Sequence, residues 1–183
     1  MNEVSVGVVG LGYWGPNLLR NFRSVESCRV VAMADADRRR LDAQQRLYPD
    51  VRAYLSAEEL LDDDSIEAVA FALPAGLIPD LATRALDRGK HVMVEKPMAH
   101  SLDEGLRMLK AADAADRVGM VDFTFVYSPP VRYLHSLLES GSLGNAHYYQ
   151  STRINLGRFQ PDVDVIWDLV VHDIAILLYL FEV

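Results

Sequence analysis

The first candidate functional residues are glycines near the N-terminus, whose spacing is typical of a ligand-binding loop. Gly10–Gly15 has G-x-G-x-x-G spacing, directly after the apolar stretch Val4–Val9 and directly before a helical stretch. In this pattern Gly10 makes a tight turn, Gly12 lets the backbone approach a pyrophosphate, and Gly15 lets the helix pack on the strand. Because the first N–H groups of a helix attract negative charge, the loop predicts a dinucleotide site. The alternative is an ordinary strand–turn–helix without a ligand.

An acid stands where a dinucleotide site requires one. Asp35 ends a second apolar stretch and lies 20 residues after Gly15, the spacing at which a carboxylate accepts hydrogen bonds from the adenosine ribose. A carboxylate there would repel a 2′-phosphate, which favours NAD over NADP, whereas Arg38 and Arg39 could hold that phosphate and keep NADP open. The alternative is that Asp35 serves only the N-terminus of the helix predicted over 37–47.

A lysine and an acid–histidine pair are the other candidates. Lys96 follows an apolar strand, so its ammonium could hydrogen-bond a substrate hydroxyl and stabilise oxyanion character as a carbonyl forms. Asp168 and His172 are four positions apart and would share one helix face, where the carboxylate orients the imidazole as a general base. The alternatives are a solvated loop lysine and a helix pair without chemical duty.

Alternating strands and helices must position these residues. Apolar stretches that predict strands cover 4–9, 29–35, 51–54, 66–72, 91–95 and 118–126. Because they are apolar on both faces and alternate with helical patterns, they predict a doubly wound parallel sheet, an α/β domain over 1–127. Ligands of such sheets bind at the carboxyl ends of the strands. The predicted cofactor-binding residues all fall there: Gly10, Gly12, Tyr13, Trp14, Gly15, Asp35, Leu73, Pro74, Glu95 and Lys96.

The pattern changes after Ser128-Pro129-Pro130. Residues 131–140 predict a helix, 146–155 a strand, and 166–182 a strongly apolar helix. Residues 128–183 therefore predict the start of a second α/β domain that is too small to be complete. A strand over 146–155 would have no visible partner, and an unpaired strand is not stable.

Composition argues against several classes of function. The net charge is −8 and the pI is about 5.0, with no basic stripe, so nucleic acid and anionic membranes are poor partners. No apolar stretch is long enough to cross a bilayer, the chain begins directly with a strand, and Cys28 as the sole cysteine allows no intrachain disulfide. We therefore expect a cytoplasmic protein, and no set of ligating side chains predicts a metal.

Three motifs together resemble the glucose–fructose oxidoreductase, inositol dehydrogenase and rhizopine-catabolism family (Gfo/Idh/MocA): the glycine loop, Glu95-Lys96-Pro97, and Asp168 with His172. The resemblance implies a Rossmann domain, a second α/β domain, and NAD(P)-dependent oxidation or reduction of a sugar or cyclitol hydroxyl. It also implies that Lys96 orients the substrate before a cis-proline. His172 then takes the hydroxyl proton while hydride passes to nicotinamide, and Asp168 binds substrate or orients the base.

Residues 151–157 and 159–162 resemble the branch of this family that acts on nucleotide-linked sugars. There Arg153 and Asn155 would bind the sugar or its phosphates, although a strand arginine could equally be a surface or interface residue. Family members continue well past residue 183 and use the second domain for oligomerisation. We therefore expect a C-terminally truncated chain that forms homo-oligomers when the second domain is complete.

The leading hypothesis is a nicotinamide-dependent dehydrogenase that acts on a small molecule, a sugar or nucleotide-linked sugar. The alternative is a catalytically silent NAD-binding protein, or a non-functional fragment, that lacks the second domain.

Overall fold

The computed structural model of the protein describes residues 3–154 and 164–181. The chain forms two compact units that divide between Val121 and Asp122, whereas we predicted a domain boundary after residue 127. The strands are β1 (Val4–Val9), β2 (Cys28–Ala34), β3 (Arg52–Tyr54), β4 (Ala68–Phe71), β5 (His91–Glu95) and β6 (Gly119–Asp122). The helices are α1 (Gly15–Arg23), α2 (Arg38–Leu47), α3 (Ala57–Leu61), α4 (Ile78–Asp87), α5 (Leu102–Ala115), α6 (Pro129–Glu139) and α7 (Val171–Phe181).

Strand order identifies the architecture of the first unit. Within the described residues, the strands form one six-stranded sheet in the order β3-β2-β1-β4-β5-β6. The pairs β1–β2, β1–β4, β2–β3 and β4–β5 are parallel. This is the order of a doubly wound dinucleotide-binding sheet, with the switch point between β1 and β4. The predicted Rossmann fold is confirmed.

The core of the first unit covers both faces of the sheet. Successive residues of a strand point to opposite faces. Val69 and Phe71 accordingly belong to one apolar cluster, which includes Leu86 of α4, and Ala70 belongs to another, which includes Leu19 of α1. Strands β1, β2 and β4 therefore have apolar residues in succession because both of their faces are covered, whereas β3 is short and largely exposed.

Serine side chains cap the N-termini of α3 and α5. Ser56 accepts a hydrogen bond from the Glu58 N–H at the start of α3. Ser101 accepts one from the Glu104 N–H at the start of α5. The Glu104 carboxylate in turn accepts a bond from the His100 N–H at 3.0 Å. Both helices begin with the S-x-x-E spacing that is typical of a capping box, and both serines are N-caps.

Of three element predictions in the last third of the chain, one was wrong and two were correct only in part. The strand expected over 118–126 ends at Asp122, and a 3₁₀ turn over Thr124–Tyr127 follows, closed by the Val126 N–H on the Phe123 carbonyl. Residues 146–154 form no regular structure; a strand requires a paired neighbour, and none is assigned to them among the described residues. Residue 155 lies outside the described residues.

The helix expected over 166–182 begins differently from the prediction. Ile166–Val170 form a π turn, and α7 follows from Val171 to Phe181. A π turn is wider than an α turn, so α-helical spacing does not describe the start of this segment. Asp164 accepts hydrogen bonds from the Ile166 and Trp167 N–H groups where the turn begins. None of the helices in the described part of the chain is long and apolar enough to cross a membrane.

Candidate active site

The glycine loop of the first unit has the geometry that the motif predicts. Gly10 has a φ of 91°, and its N–H donates to the Ala34 carbonyl at 2.8 Å. A methyl group on Gly15 would overlap the Gly10 carbonyl oxygen, so only glycine lets α1 begin this close to β1. A Cβ on Gly10 would lie 2.8 Å from Leu73 Cδ2, which places the predicted residue Leu73 against the loop.

The N-terminus of α1 is open to an anion. No side chain among the described residues caps this end, and its first turn contains no acid. A Cβ on Gly12 would meet only the Arg40 guanidinium, at 3.7 Å. Tyr13 is 76% exposed and Trp14 is 39% exposed. The loop therefore fits a dinucleotide pyrophosphate, which needs N–H groups and close approach of the backbone.

Asp35 connects the glycine loop to the end of β2. Its Oδ2 accepts from the Leu11 N–H at 2.6 Å, and its Oδ1 accepts from the Asp37 N–H at 2.7 Å. Its side chain is 8% exposed. The N-cap of α2 is Asp37, so Asp35 supports this helix only indirectly. A carboxylate oxygen can accept more than one hydrogen bond, and the ribose-binding role of Asp35 stays a prediction.

The arginine that reaches the loop is Arg40. Its guanidinium lies 3.9 Å from Asp35 and 3.8 Å from Asp37. Arg39 is turned toward Asp37 instead, and its hydrogen bonds lower the pKa of the Asp37 carboxyl below its ordinary value. We singled out Arg38 and Arg39 from the sequence. The sequence could have identified Arg40 through its position in the first turn of α2, because helical geometry places its side chain on a different face from those of Arg38 and Arg39.

The remaining residues of the first unit follow β4, which pairs with β1, and β5, which pairs with β4. Leu73 is half-buried and Pro74 is exposed just after β4. Glu95 ends β5, and Lys96, which is half-buried, is the next residue. The peptide bond between Lys96 and Pro97 is cis. The carboxyl ends of parallel strands meet at one edge. The glycine loop, Asp35, Leu73-Pro74 and Glu95-Lys96 therefore lie along the same edge of the sheet.

His172 is the central residue of the candidate site in the second unit. It lies in the first turn of α7 and is 8% exposed. The rings of Phe125 and Phe123 meet its imidazole edge-on, with centroids 4.8 and 6.5 Å away. Asp168 is half-buried and lies in the π turn before α7. The prediction that Asp168 and His172 share an α-helical face assumed a regular helix that the structure does not have.

Arg153 is held by neighbours that the sequence did not identify. Its Nε and Nη2 donate to the two Asp173 carboxylate oxygens at 3.0 and 3.2 Å. Its guanidinium lies 4.4 Å from the centre of the Phe125 ring. The sequence pointed to Asp173 only through its position directly after His172. It contained no pattern that predicts a contact between Phe125 and this group. Asn155 lies outside the described residues.

Both the sheet and its loops define the class of this protein. A parallel sheet in this order, with a glycine loop at the switch point and an acid at the end of β2, is a dinucleotide-binding Rossmann domain. Residues 4–123 match the Gfo/Idh/MocA family, an oxidoreductase family with an NAD-binding Rossmann fold. The chain belongs to this family, and the prediction of an NAD-binding protein is confirmed at that level.

Relatives resemble the chain over nearly its whole length. It is 30% identical over 156 residues to a 1-carboxy-3-chloro-3,4-dihydroxycyclohexa-1,5-diene dehydrogenase of Comamonas testosteroni, across 85% of this chain and 39% of the relative. It is 29% identical to inositol 2-dehydrogenase 2 of Saccharopolyspora erythraea, across 97% of this chain and 53% of the relative. The chain thus spans about half the length of the curated relatives it matches.

A solved structure resembles the fold and has ligands bound. The WlbA dehydrogenase of Bordetella pertussis, in complex with NADH and UDP-GlcNAcA, superposes with a TM-score of 0.74. Its sequence is 26% identical, and the match covers 78% of this chain and 41% of that one. An inositol dehydrogenase is therefore among the curated relatives, and a dehydrogenase with bound UDP-GlcNAcA is among the solved structures.

Proposed function

We propose that this protein is an NAD-dependent dehydrogenase that exchanges a hydride with a hydroxyl or keto carbon of a sugar or cyclitol. The observation that carries the proposal is the common sheet edge of the first unit. There the glycine loop follows β1, and Lys96 follows β5, one strand beyond the neighbour of β1. A cationic hydrogen-bond donor on the edge that binds nicotinamide dinucleotides is suited to hold a reacting oxygen.

Each candidate residue has a chemical task in this proposal. Lys96 donates a hydrogen bond to the substrate hydroxyl and stabilises the oxygen as it becomes a carbonyl. His172 removes the hydroxyl proton as general base, and Asp168 binds the substrate or orients that base. Bound NAD supplies the hydride acceptor. The phosphates of the dinucleotide would lie at the N-terminus of α1, and Asp35 would accept hydrogen bonds from the ribose.

Two relatives support the substrate class. One is named an inositol 2-dehydrogenase, and the WlbA structure contains a nucleotide-linked sugar acid. We extend this to a nucleotide-linked sugar as the substrate, with Arg153 and Asn155 as further candidates for its binding. Homo-oligomers, formed through a complete second domain, belong to the same proposal.

Cofactor choice is tested by titrating the full chain with NADH and with NADPH, following nicotinamide fluorescence. We expect NADH to bind about tenfold more tightly, because the Asp35 carboxylate opposes a 2′-phosphate. D35N should reduce this preference because it removes the charge. Equal affinities in the unsubstituted chain would show that Asp35 does not select the cofactor, in which case Arg40 would become the residue to substitute.

The reaction is tested by following NADH formation from NAD with myo-inositol, scyllo-inositol and UDP-GlcNAcA. H172A should lower kcat by about 100-fold or more, since a general base contributes about 10²–10⁴-fold, while its affinity for NADH stays unchanged. Full turnover in H172A would remove His172 from the mechanism. A chain that binds NADH and oxidises none of the panel would favour the silent NAD-binding alternative.

A further inference from the structure

Four side chains of the second unit form a continuous group, which we call the His172 brace: His172, Phe125, Arg153 and Asp173. The Phe125 ring meets the imidazole edge-on at 4.8 Å. The Arg153 guanidinium covers the same ring at 4.4 Å and holds both Asp173 carboxylate oxygens. Asp173 is the residue after His172 on α7. Arg153 therefore reaches His172 by two routes, one through an aromatic ring and one through the helix backbone.

We propose that Arg153 is a positioning residue, which fixes the His172 imidazole by clamping Phe125 and Asp173. The consequence for catalysis rests on the proposed function of His172 as base. The clamp itself determines only where the imidazole lies, whatever the chemical role of His172.

The chemistry of arginine suits this task. Its planar guanidinium can bind a carboxylate through two parallel N–H bonds and stack on an aromatic face at the same time, which an ammonium cannot do in one geometry. The side chains of Arg153 and Asp173 are only 22% and 15% exposed, so water screens their attraction less than on an open surface. Phe125 is 42% exposed, so without the cation above it the ring would have little to hold it on that side.

The same geometry weighs against substrate binding as the main task of Arg153. Its Nε and Nη2 are committed to Asp173, and its face is committed to Phe125. An arginine that reads a phosphate normally offers this bidentate edge to the ligand. In this structure the edge is satisfied by the protein itself.

The clamp can be measured in the full chain without turnover. The ring current of Phe125 displaces the proton signals of the His172 imidazole, which H172Q assigns among the five histidines. Spectra are recorded about two pH units above the ordinary pKa of histidine, so that protonation does not contribute. R153M should move the His172 signal at least half of the way to its position in F125L. R153K should move it less, because it retains the charge but loses the planar fork.

A matched variant separates the clamp from a general loss of charge. The Arg132 guanidinium lies 5.4 Å from the Tyr127 ring in the same unit, so R132M removes the same kind of contact elsewhere. R132M should leave the His172 signal unchanged, and R153M should retain a dispersed amide spectrum. An unmoved signal in R153M, or an equal displacement in R132M, would overturn the proposal. If R153M does not fold, the comparison of R153K with F125L decides in the same way.

Turnover then separates this inference from the proposed function. With the substrate that gives NADH formation, R153M should lower kcat roughly tenfold with little change in KM, because misplacing a catalytic group slows the chemical step. In an H172A background R153M should cause no further loss, because it acts through the imidazole. A raised KM with unchanged kcat would instead identify a substrate contact and overturn the positioning role. Full activity in H172A would refute the base assignment while leaving the spectroscopic result intact.

Discussion

The two units of this chain treat their apolar residues in opposite ways. In the first unit Leu19, Met33 and Phe71 are completely buried. In the second, within 122–154 and 164–181, the buried residues are Asp122, His172 and Leu180. Large apolar side chains of the second unit such as Tyr148 and Ile154 are 85% and 87% exposed.

The difference shows what a sheet contributes to packing. A parallel sheet has two faces, each covered by helices, so a strand residue has neighbours whichever way it points. Within its described residues the second unit has two α-helices, α6 and α7, and contacts such as the stacking of His135 on Tyr179 at 4.5 Å. One of its few buried residues is the candidate base. In this unit a candidate residue, His172, is one of the few buried positions, together with Asp122 and Leu180, whereas in the first unit the candidate residues lie at the carboxyl edge of the sheet.

The largest difference in stability that we expect is between substitutions of Phe71 in the first unit and of Tyr148 in the second. F71A should lower the free energy of unfolding of the first unit by about 3–5 kcal/mol, because it removes buried contacts and leaves a cavity. Y148A should change the stability of the second unit by less than about 0.5 kcal/mol. Each unit has one tryptophan, Trp14 or Trp167, so urea titrations of W167F and W14F backgrounds follow the units separately. Similar losses in both variants would contradict the comparison.

An intermediate effect is expected at Asp63, which holds β3 in the first unit. Burial acts to raise the pKa of the Asp63 carboxyl, but hydrogen bonds from Ser65 and Tyr54 and the charge of Arg52 outweigh burial and lower it below the ordinary 3.8. The folded chain thus favours the carboxylate more than the unfolded chain does. This stabilisation is complete above the ordinary pKa and is lost as the pH falls through the lower folded value.

D63N should therefore cost about 1–2 kcal/mol near pH 7, less than the loss of a fully buried charged hydrogen bond because Arg52 is largely exposed. The difference from the unsubstituted chain should shrink as the pH falls below about 4. This difference in the free energy of unfolding is measured by urea titrations at several pH values, followed by the fluorescence of Trp14. A difference that stays constant down to the acid transition would contradict the assigned pKa shift.

The smallest effect compares a cap in each unit. S101A removes the acceptor for the Glu104 N–H at the start of α5 and should cost about 1 kcal/mol. D164A removes the acceptor for the Ile166 and Trp167 N–H groups in the second unit and should cost a similar amount. Hydrogen exchange should show the loss across the cooperative core for S101A, but confined to α7 and its π turn for D164A. A global loss from D164A would mean that the two units unfold together.

Prediction from sequence succeeded where local pattern and packing agree. Strands β1, β2 and β4 were recognised because each is apolar on both faces and is bounded by a glycine, proline or polar residue. The glycine loop was recognised because Gly10 and Gly15 have conformations and contacts that only glycine allows. The N-caps Ser56 and Ser101 likewise follow from local sequence, because each stands at S-x-x-E spacing and an N-cap is a hydrogen bond between neighbours along the chain.

Prediction failed where a segment depends on contacts with distant residues. Residues 146–154 have the composition of a strand, but strand structure exists only with a partner. Asp168 and His172 have α-helical spacing, but the turn that contains Asp168 is a π turn. The sequence also contained no sign that Arg153 binds Asp173, 20 positions later, because that contact is made by the fold.

The sequence by itself determined the doubly wound sheet and the dinucleotide loop, and it named the candidate residues for the chemistry, because these follow from short-range patterns of polarity and backbone freedom. Only the tertiary structure decided which arginine approaches the loop and which side chains surround His172. Those neighbours come from residues far apart along the chain. Their contact is a product of packing, which no local pattern encodes.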